Sequence, residues 1–191
     1  MSGGEVVRYL GTYGSGRVSR AAVISGVPPF LLKNADNLEG VDQSVFDGIL
    51  ASIAKDRLAY QTSFLRDFYN LDVLLVKRIS EEVVRDSWIT AAGASPTGTA
   101  ACVPTWYTDF RADLPKIDVP TLVVHGDQDR ILPIAACGAK THTGIAGSRY
   151  VVIEGAPHGL LWTHAEEVNQ ALLGFLAETE PSVRQSTLAN A

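Results

Sequence analysis

PTLVVHGDQDRILP, Pro120 to Pro133, is the stretch that decides the fold. Its first half, Thr121-Leu122-Val123-Val124-His125, is an unbroken apolar run rich in β-branched residues, closed by Gly126. A strand with one face in water alternates apolar and polar residues. A solid apolar run is what a strand buried on both faces needs, and parallel strands are usually buried in this way. The second half carries Asp127 and Asp129 in the loop where the strand stops. The same pattern recurs at Arg149-Tyr150-Val151-Val152-Ile153-Glu154, which ends at Gly155 and leads into Ala156-Pro157-His158-Gly159. In open parallel sheets, ligands collect beyond the carboxyl ends of the strands. One strand end therefore offers an acid and the next a histidine.

Working outward, Val18 to Ser25 is a third, largely apolar run bounded by Gly26 and Pro28-Pro29, and it is expected to be a buried strand. Glu5 to Leu10 is expected to be helical, broken by Gly11, Gly14 and Gly16. Residues 42–110 differ in character. Val45, Phe46, Ile49, Leu50 and Ile53 recur at helical spacing, as do Val83, Val84, Ser87, Trp88, Ala91 and Ala92. Ser80 is placed as an N-cap with Glu81 and Glu82 in the first turn, and Ser95-Pro96 is a second helix start. Ile134–Thr141 is expected to be a further helix. In the last helix Thr163 and Glu166 have capping-box spacing, and Val168, Ala171, Leu172, Phe175 and Leu176 share one face.

The order is helix, strand, helical block, strand, helix, strand, helix. It implies an α/β fold with three parallel strands flanked by helices. Residues 1–30 and 115–178 are expected to form the layered core. Residues 31–114 form an all-helical lid insertion, and residues 179–191, polar with Pro181, form a flexible tail.

Composition narrows the function classes. The 191 residues are 46% hydrophobic and 19% charged, which is globular rather than disordered. The net charge of −5 argues against nucleic acid or an anionic membrane as partner, since both need clustered Lys and Arg. Mean hydropathy is only +0.10, and no apolar run reaches the roughly 18 residues of a spanning helix. Met1 to Glu5 shows no basic segment followed by an apolar one, so a cytoplasmic location is expected. Cys102 and Cys137 lack metal or redox spacing and are expected to be buried thiols.

An acid on one strand loop and a histidine on the next are two members of a nucleophile–histidine–acid triad. In such a triad the acid sets the imidazole tautomer and stabilises the imidazolium. Histidine serves because its ordinary pKa lies near neutrality. Asp127, directly after a glycine, fits a turn or cap. His125, at its strand end, fits a local hydrogen bond. His142 and His164 fit surface or cap positions. Neither His-x3-His nor Cys-x2-Cys spacing occurs, so no metal site is expected.

Gly3-Gly4-Glu5-Val6-Val7-Arg8-Tyr9, Ile24-Ser25-Gly26-Val27-Pro28-Pro29, Asp109-Phe110-Arg111-Ala112-Asp113-Leu114-Pro115, His125–Pro133 and EGAPHGLLWTHAEEVN (residues 154–169) carry a family resemblance. Together they resemble the cofactor-free haloperoxidases of the α/β-hydrolase superfamily, also called non-haem chloroperoxidases or perhydrolases. The resemblance implies no cofactor. It assigns Asp129 as the catalytic acid and His158 as the base, in acyl transfer from an ester or carboxylic acid to hydrogen peroxide or water. The peracid formed then oxidises halide. Trp88, Trp106 and Phe110 are candidates for a small apolar substrate pocket, and Trp162 is expected to pack beneath His158.

The family elbow reads G-x-S-M-G-G-G-E, with the serine five positions before the glutamate that matches Glu5. On that frame the serine falls one position ahead of Met1. Met1 takes the oxyanion-hole position, and Ser2, where the family has glycine, is not expected to be the nucleophile. The resemblance therefore implies a partial α/β-hydrolase fold: the C-terminal part, with lid, acid and base, inactive alone. Two other readings stand beside it: a catalytically silent chain acting as a binding or assembly module, and an esterase, lactonase or carbon–carbon bond hydrolase. The family sheet has eight strands, so the strand at 18–25 is expected to present an apolar edge to other chains. The purified chain should therefore self-associate in light scattering, and a monodisperse, cooperatively melting monomer contradicts this.

Overall fold

The computed structural model describes residues 2–178. The expected tail at 179–191 and Met1 lie outside the described residues. Three strands form one parallel sheet, β1 (Ala21–Ile24), β2 (Thr121–Gly126) and β3 (Arg149–Ile153), in the order β1-β2-β3. Ala21 stands beside Thr121 and Ile24 beside Val124. On the other side Leu122 pairs with Arg149 and Gly126 with Ile153. The middle strand is buried at every position, as its solid apolar run requires. β3 is less covered than its sequence suggests: only Ile153 is buried, and Val152 is 47% exposed. Among the described residues β3 pairs with β2 alone, and so does β1.

Each face of the sheet has its own core. Leu122, Val124, Val151 and Ile153 meet Val168, Ala171 and Phe175 of α8 (Ala165–Ala177). On the other face Ala21 and Val23 meet Val7 and Leu10 of α1 (Ser2–Tyr13), together with Ala136, Cys137 and Ile145. Cys137 is buried as expected, whereas Cys102 is exposed.

Several boundaries differ from the sequence expectation. Gly11 does not break α1. A Cβ there would stand 2.6 Å from the Asp113 side chain, so the helix runs through a glycine that lets Asp113 approach and pair with Arg8 at 2.7 Å. The helix ends at Tyr13, before Gly14 at φ +72°. β1 is shorter than residues 18–25, and Ser25, at φ 43°, follows its end.

The block between β1 and β2 is helical. It contains α2 (Gln43–Phe68), α3 (Leu71–Leu74), α4 (Glu81–Ala92) and α5 (Pro96–Cys102), then two 3-10 turns at Val103–Tyr107 and Leu114–Lys116. α2 is two helices joined at Asp56, whose φ of −160° breaks the spiral and whose carboxylate caps the Leu58 and Ala59 N–H groups. Ser80 and Ser95 cap α4 and α5 through Val83 and Gly98, as their spacing predicts.

Two later helices depart from expectation. The turn at Pro133, whose carbonyl accepts from Ala136 and Cys137, delays α6 to Gly138–Gly144. Thr163 forms no capping box. It closes the short α7 (Leu160–Thr163), its hydroxyl facing the Gly159 carbonyl and His164 Nδ1, and α8 starts from His164 without a side-chain cap.

Candidate active site

The loops after β2 and β3 interlock. Asp127 N–H donates to the Ile153 carbonyl, Gln128 N–H donates to the Ala156 carbonyl, and Asp127 Oδ1 accepts from Gly155 N–H at 2.7 Å. Asp127 is thus the tie between the two loops. Gly126 has to be glycine, because a Cβ would lie 2.2 Å from the Ala156 carbonyl oxygen.

This framework brings Asp129 and His158 together. Asp129 is 8% exposed, and its Oδ1 accepts from the Ile131 and Leu132 N–H groups at 2.9 and 2.8 Å. Its Oδ2 lies 2.8 Å from His158 Nδ1 and 3.2 Å from His125 Nε2. Burial works against the charged carboxylate and is the largest single influence on it. It is outweighed by the hydrogen bonds from His125 and His158, the attraction of His158 and the Leu132 N–H. Asp129 is therefore held well below the usual carboxylate range. The neighbouring Cys137 thiol is pushed up to about 12, first by burial and then by the Asp129 charge, so it stays protonated.

His125 is fully buried, its Nε2 also 2.9 Å from the Leu132 carbonyl. It makes the local bond its position suggested, but its contact with Asp129 went unforeseen. The signal available was its place four residues before Asp129, across a strand end that folds back on itself. His142 bonds Ser148 at 2.8 Å and stacks on Tyr150. His164 is buried rather than superficial. Burial, followed by the Arg78 charge, lowers its pKa against the pull of Glu167 and Asp127.

The aromatic candidates separate. Trp88 packs in a small cluster with Leu65, Tyr69, Ile79 and Phe68, its Nε1 donating to Thr62 at 3.0 Å. Phe68 leaves that cluster to meet the His158 ring edge-on, at 4.9 Å between centroids. Trp106 and Phe110 belong to the main core, where Phe110 fills the space that the missing side chain of Gly4 leaves. Trp162 does not pack under His158; it is 59% exposed, because the short α7 turns it outward. Phe68 carried no sequence signal beyond its place on an apolar helix.

An open cleft of about 810 Å³ runs beside β3, lined by Asn70, Arg78, Arg130, Glu154 and His164 among others. It lies behind the site loops, since neither Asp129 nor His158 lines it. Among the described residues no group of three or more His, Cys, Asp or Glu side chains is arranged to hold a metal ion, and no helix is long and apolar enough to cross a membrane.

A family model for the alpha/beta hydrolase fold matches residues 1–165. The chain belongs to the α/β-hydrolase fold family. Within that family its sequence is 57% identical over 176 residues to a Synechocystis sp. protein named "Putative non-heme chloroperoxidase", covering 92% of this chain and 64% of that protein. It is 33% identical over 180 residues to a bifunctional esterase/perhydrolase of Acinetobacter calcoaceticus, covering 91% of this chain and 63% of the relative. The crystal structure of a bromoperoxidase from Bacillus anthracis superposes with a TM-score of 0.89 at 41% identity, covering 93% of this chain and 65% of that one. The chain thus spans less than two thirds of the α/β hydrolases it matches.

The lowered pKa of Asp129 sets a pH signature. A carboxylate that titrates lower when folded adds stability above its unfolded value, near about 4, and loses it as pH falls toward the lower folded value. Asp129→Asn should therefore be less stable at neutral pH, with a shallower loss of stability on acidification below about pH 4. Urea unfolding across pH measures this, and equal slopes for parent and variant contradict it.

Proposed function

We propose that Asp129 and His158 are the acid and base of a serine-type acyl-transfer site, in a protein of the non-haem haloperoxidase and perhydrolase kind. The observation that carries this is the 2.8 Å contact from His158 Nδ1 to a buried Asp129 whose other oxygen is pinned by two backbone N–H groups. A carboxylate held in this way keeps the imidazole in its Nδ1–H form and turns the Nε2 lone pair outward. Names among the relatives, a chloroperoxidase and an esterase/perhydrolase, support ester and peroxide chemistry.

In this reading Nε2 takes the hydroxyl proton of a serine as its oxygen attacks the acyl carbon of an ester or carboxylic acid. The imidazolium, stabilised by Asp129, returns the proton to the departing alcohol or water and leaves the acyl group on serine. Hydrogen peroxide or water then gives a proton to Nε2, attacks the acyl-enzyme and releases a peracid or an acid. A peracid oxidises halide to hypohalite and reverts to the carboxylic acid. The serine is supplied by a segment that aligns ahead of Met1 in the family frame, so the chain as it stands does not complete the cycle. Residues 31–114 act as the lid, with Phe68 and Trp88 on the side of the acyl group.

The test supplies the missing segment. The chain preceded by the corresponding N-terminal part of the Synechocystis relative should hydrolyse p-nitrophenyl acetate. His158→Ala in that fusion should cut kcat/KM by about 10⁴-fold or more. A fusion whose turnover survives His158→Ala overturns the assignment.

A further inference from the structure

The helical block touches both site loops at one turn, the end of α2. The Phe68 carbonyl accepts the Gly159 N–H at 2.8 Å, so the peptide that follows His158 is tied to this turn. Two residues on, Asn70 Nδ2 donates to the Gln128 carbonyl at 2.8 Å, which ties the peptide that precedes Asp129. The other end of that peptide, the Asp129 N–H, has only a long bond of 3.4 Å to Gly126. The Asn70 amide is therefore the firm restraint on its orientation, and that orientation sets where the Asp129 Cα–Cβ bond points.

The turn itself is built for the task. Asn70 is 3% exposed and sits at φ 49° and ψ 53°, the left-handed region that asparagine tolerates better than most residues. Its own carbonyl receives the Val73 and Leu74 N–H groups and starts α3, so the residue cannot swing away. Its Oδ1 is buried without a hydrogen-bond partner, a cost that a purely structural turn has no reason to carry. Gly159 leaves the space that the Tyr69 ring enters, since a Cβ there would lie 2.4 Å from the ring. A second link, the Arg130–Asp72 ion pair at 2.7 Å, is exposed and joins the same elements without touching either peptide.

We propose that Asn70 is a positioning residue: through the Gln128 carbonyl it holds Asp129 in register with His158, so that the helical block sets the geometry of the pair. This rests on Asp129 and His158 acting as acid and base. It follows that opening the block from the core at this turn slackens the pair, which couples the cover of the site to its competence.

The readout is the tautomer of His158 in 15N-histidine-labelled full chain, at a pH where the imidazole is neutral. Magic-angle-spinning NMR reads it whether the chain is monomeric or associated, with the signal assigned by its loss in His158→Asn. The parent should be in the Nδ1–H form, and Asp129→Asn should mix the two tautomers. Asn70→Gly keeps the left-handed turn and Asn70→Asp keeps the side-chain shape, yet both lack the amide donor. Each should populate the Nε2–H form in about one molecule in ten or more, the effect of losing one hydrogen bond. Asp72→Asn should leave the parent tautomer unchanged.

If Asp129→Asn mixes the tautomers and both Asn70 variants do not, the positioning role is overturned and the pair stands. If Asp129→Asn itself has no effect, the acid–base reading falls first. Asn70 variants that lose the helical circular-dichroism signal also count against the proposal, because the amide then acts on the fold rather than on the pair.

Discussion

A carboxylate buried in the interior is the constraint around which this molecule is organised. An ionised Asp129 out of water is costly unless each oxygen finds donors. Here the donors come from separate places: two backbone N–H groups from its own loop, the His125 side chain from the end of β2 and the His158 side chain from the loop after β3. Bringing them to one point requires β2 and β3 to stand side by side in the observed register. It also requires the two loops to interlock through Asp127 and a glycine at 126. The site is in this sense the end condition of the sheet.

The same constraint gives the helical block its influence. The turn at Phe68–Asn70 reaches the peptide on the far side of each member of the pair, and the Phe68 ring lies against the imidazole itself. A block that covered the site through side chains alone would choose the substrate and nothing more. One anchored through main-chain hydrogen bonds to both loops also shares in holding the acid and base together. The inner end of this block is continuous with the main core, where Phe46, Ile53 and Val103 pack with Val7 and Leu10.

Much of this was legible in the amino-acid sequence because local chemistry dictated it. The β2 run, the strand at 149–153 and the Ser80 and Ser95 caps are features of a few adjacent residues, and they stand where their spacing places them. The juxtaposition of Asp129 and His158 followed from two strand ends and a family pattern. What could not be foreseen depends on contacts distant in sequence. Gly11 stays helical because Asp113 needs its space, and Thr163 abandons its cap because α7 claims it. Val152 is exposed because β3 has a single strand partner among the described residues. Asn70 acts across 58 positions, and no local pattern marks it.

The central claim is that Asp129 and His158 are energetically one unit inside the folded chain. A double-mutant cycle on unfolding free energy, with Asp129→Asn, His158→Asn and the double variant, measures that coupling directly at neutral pH. A coupling energy of about 1–3 kcal/mol is the result expected for a charge-assisted hydrogen bond to a buried carboxylate. Additive single-variant effects, with no coupling between the two positions, contradict the account.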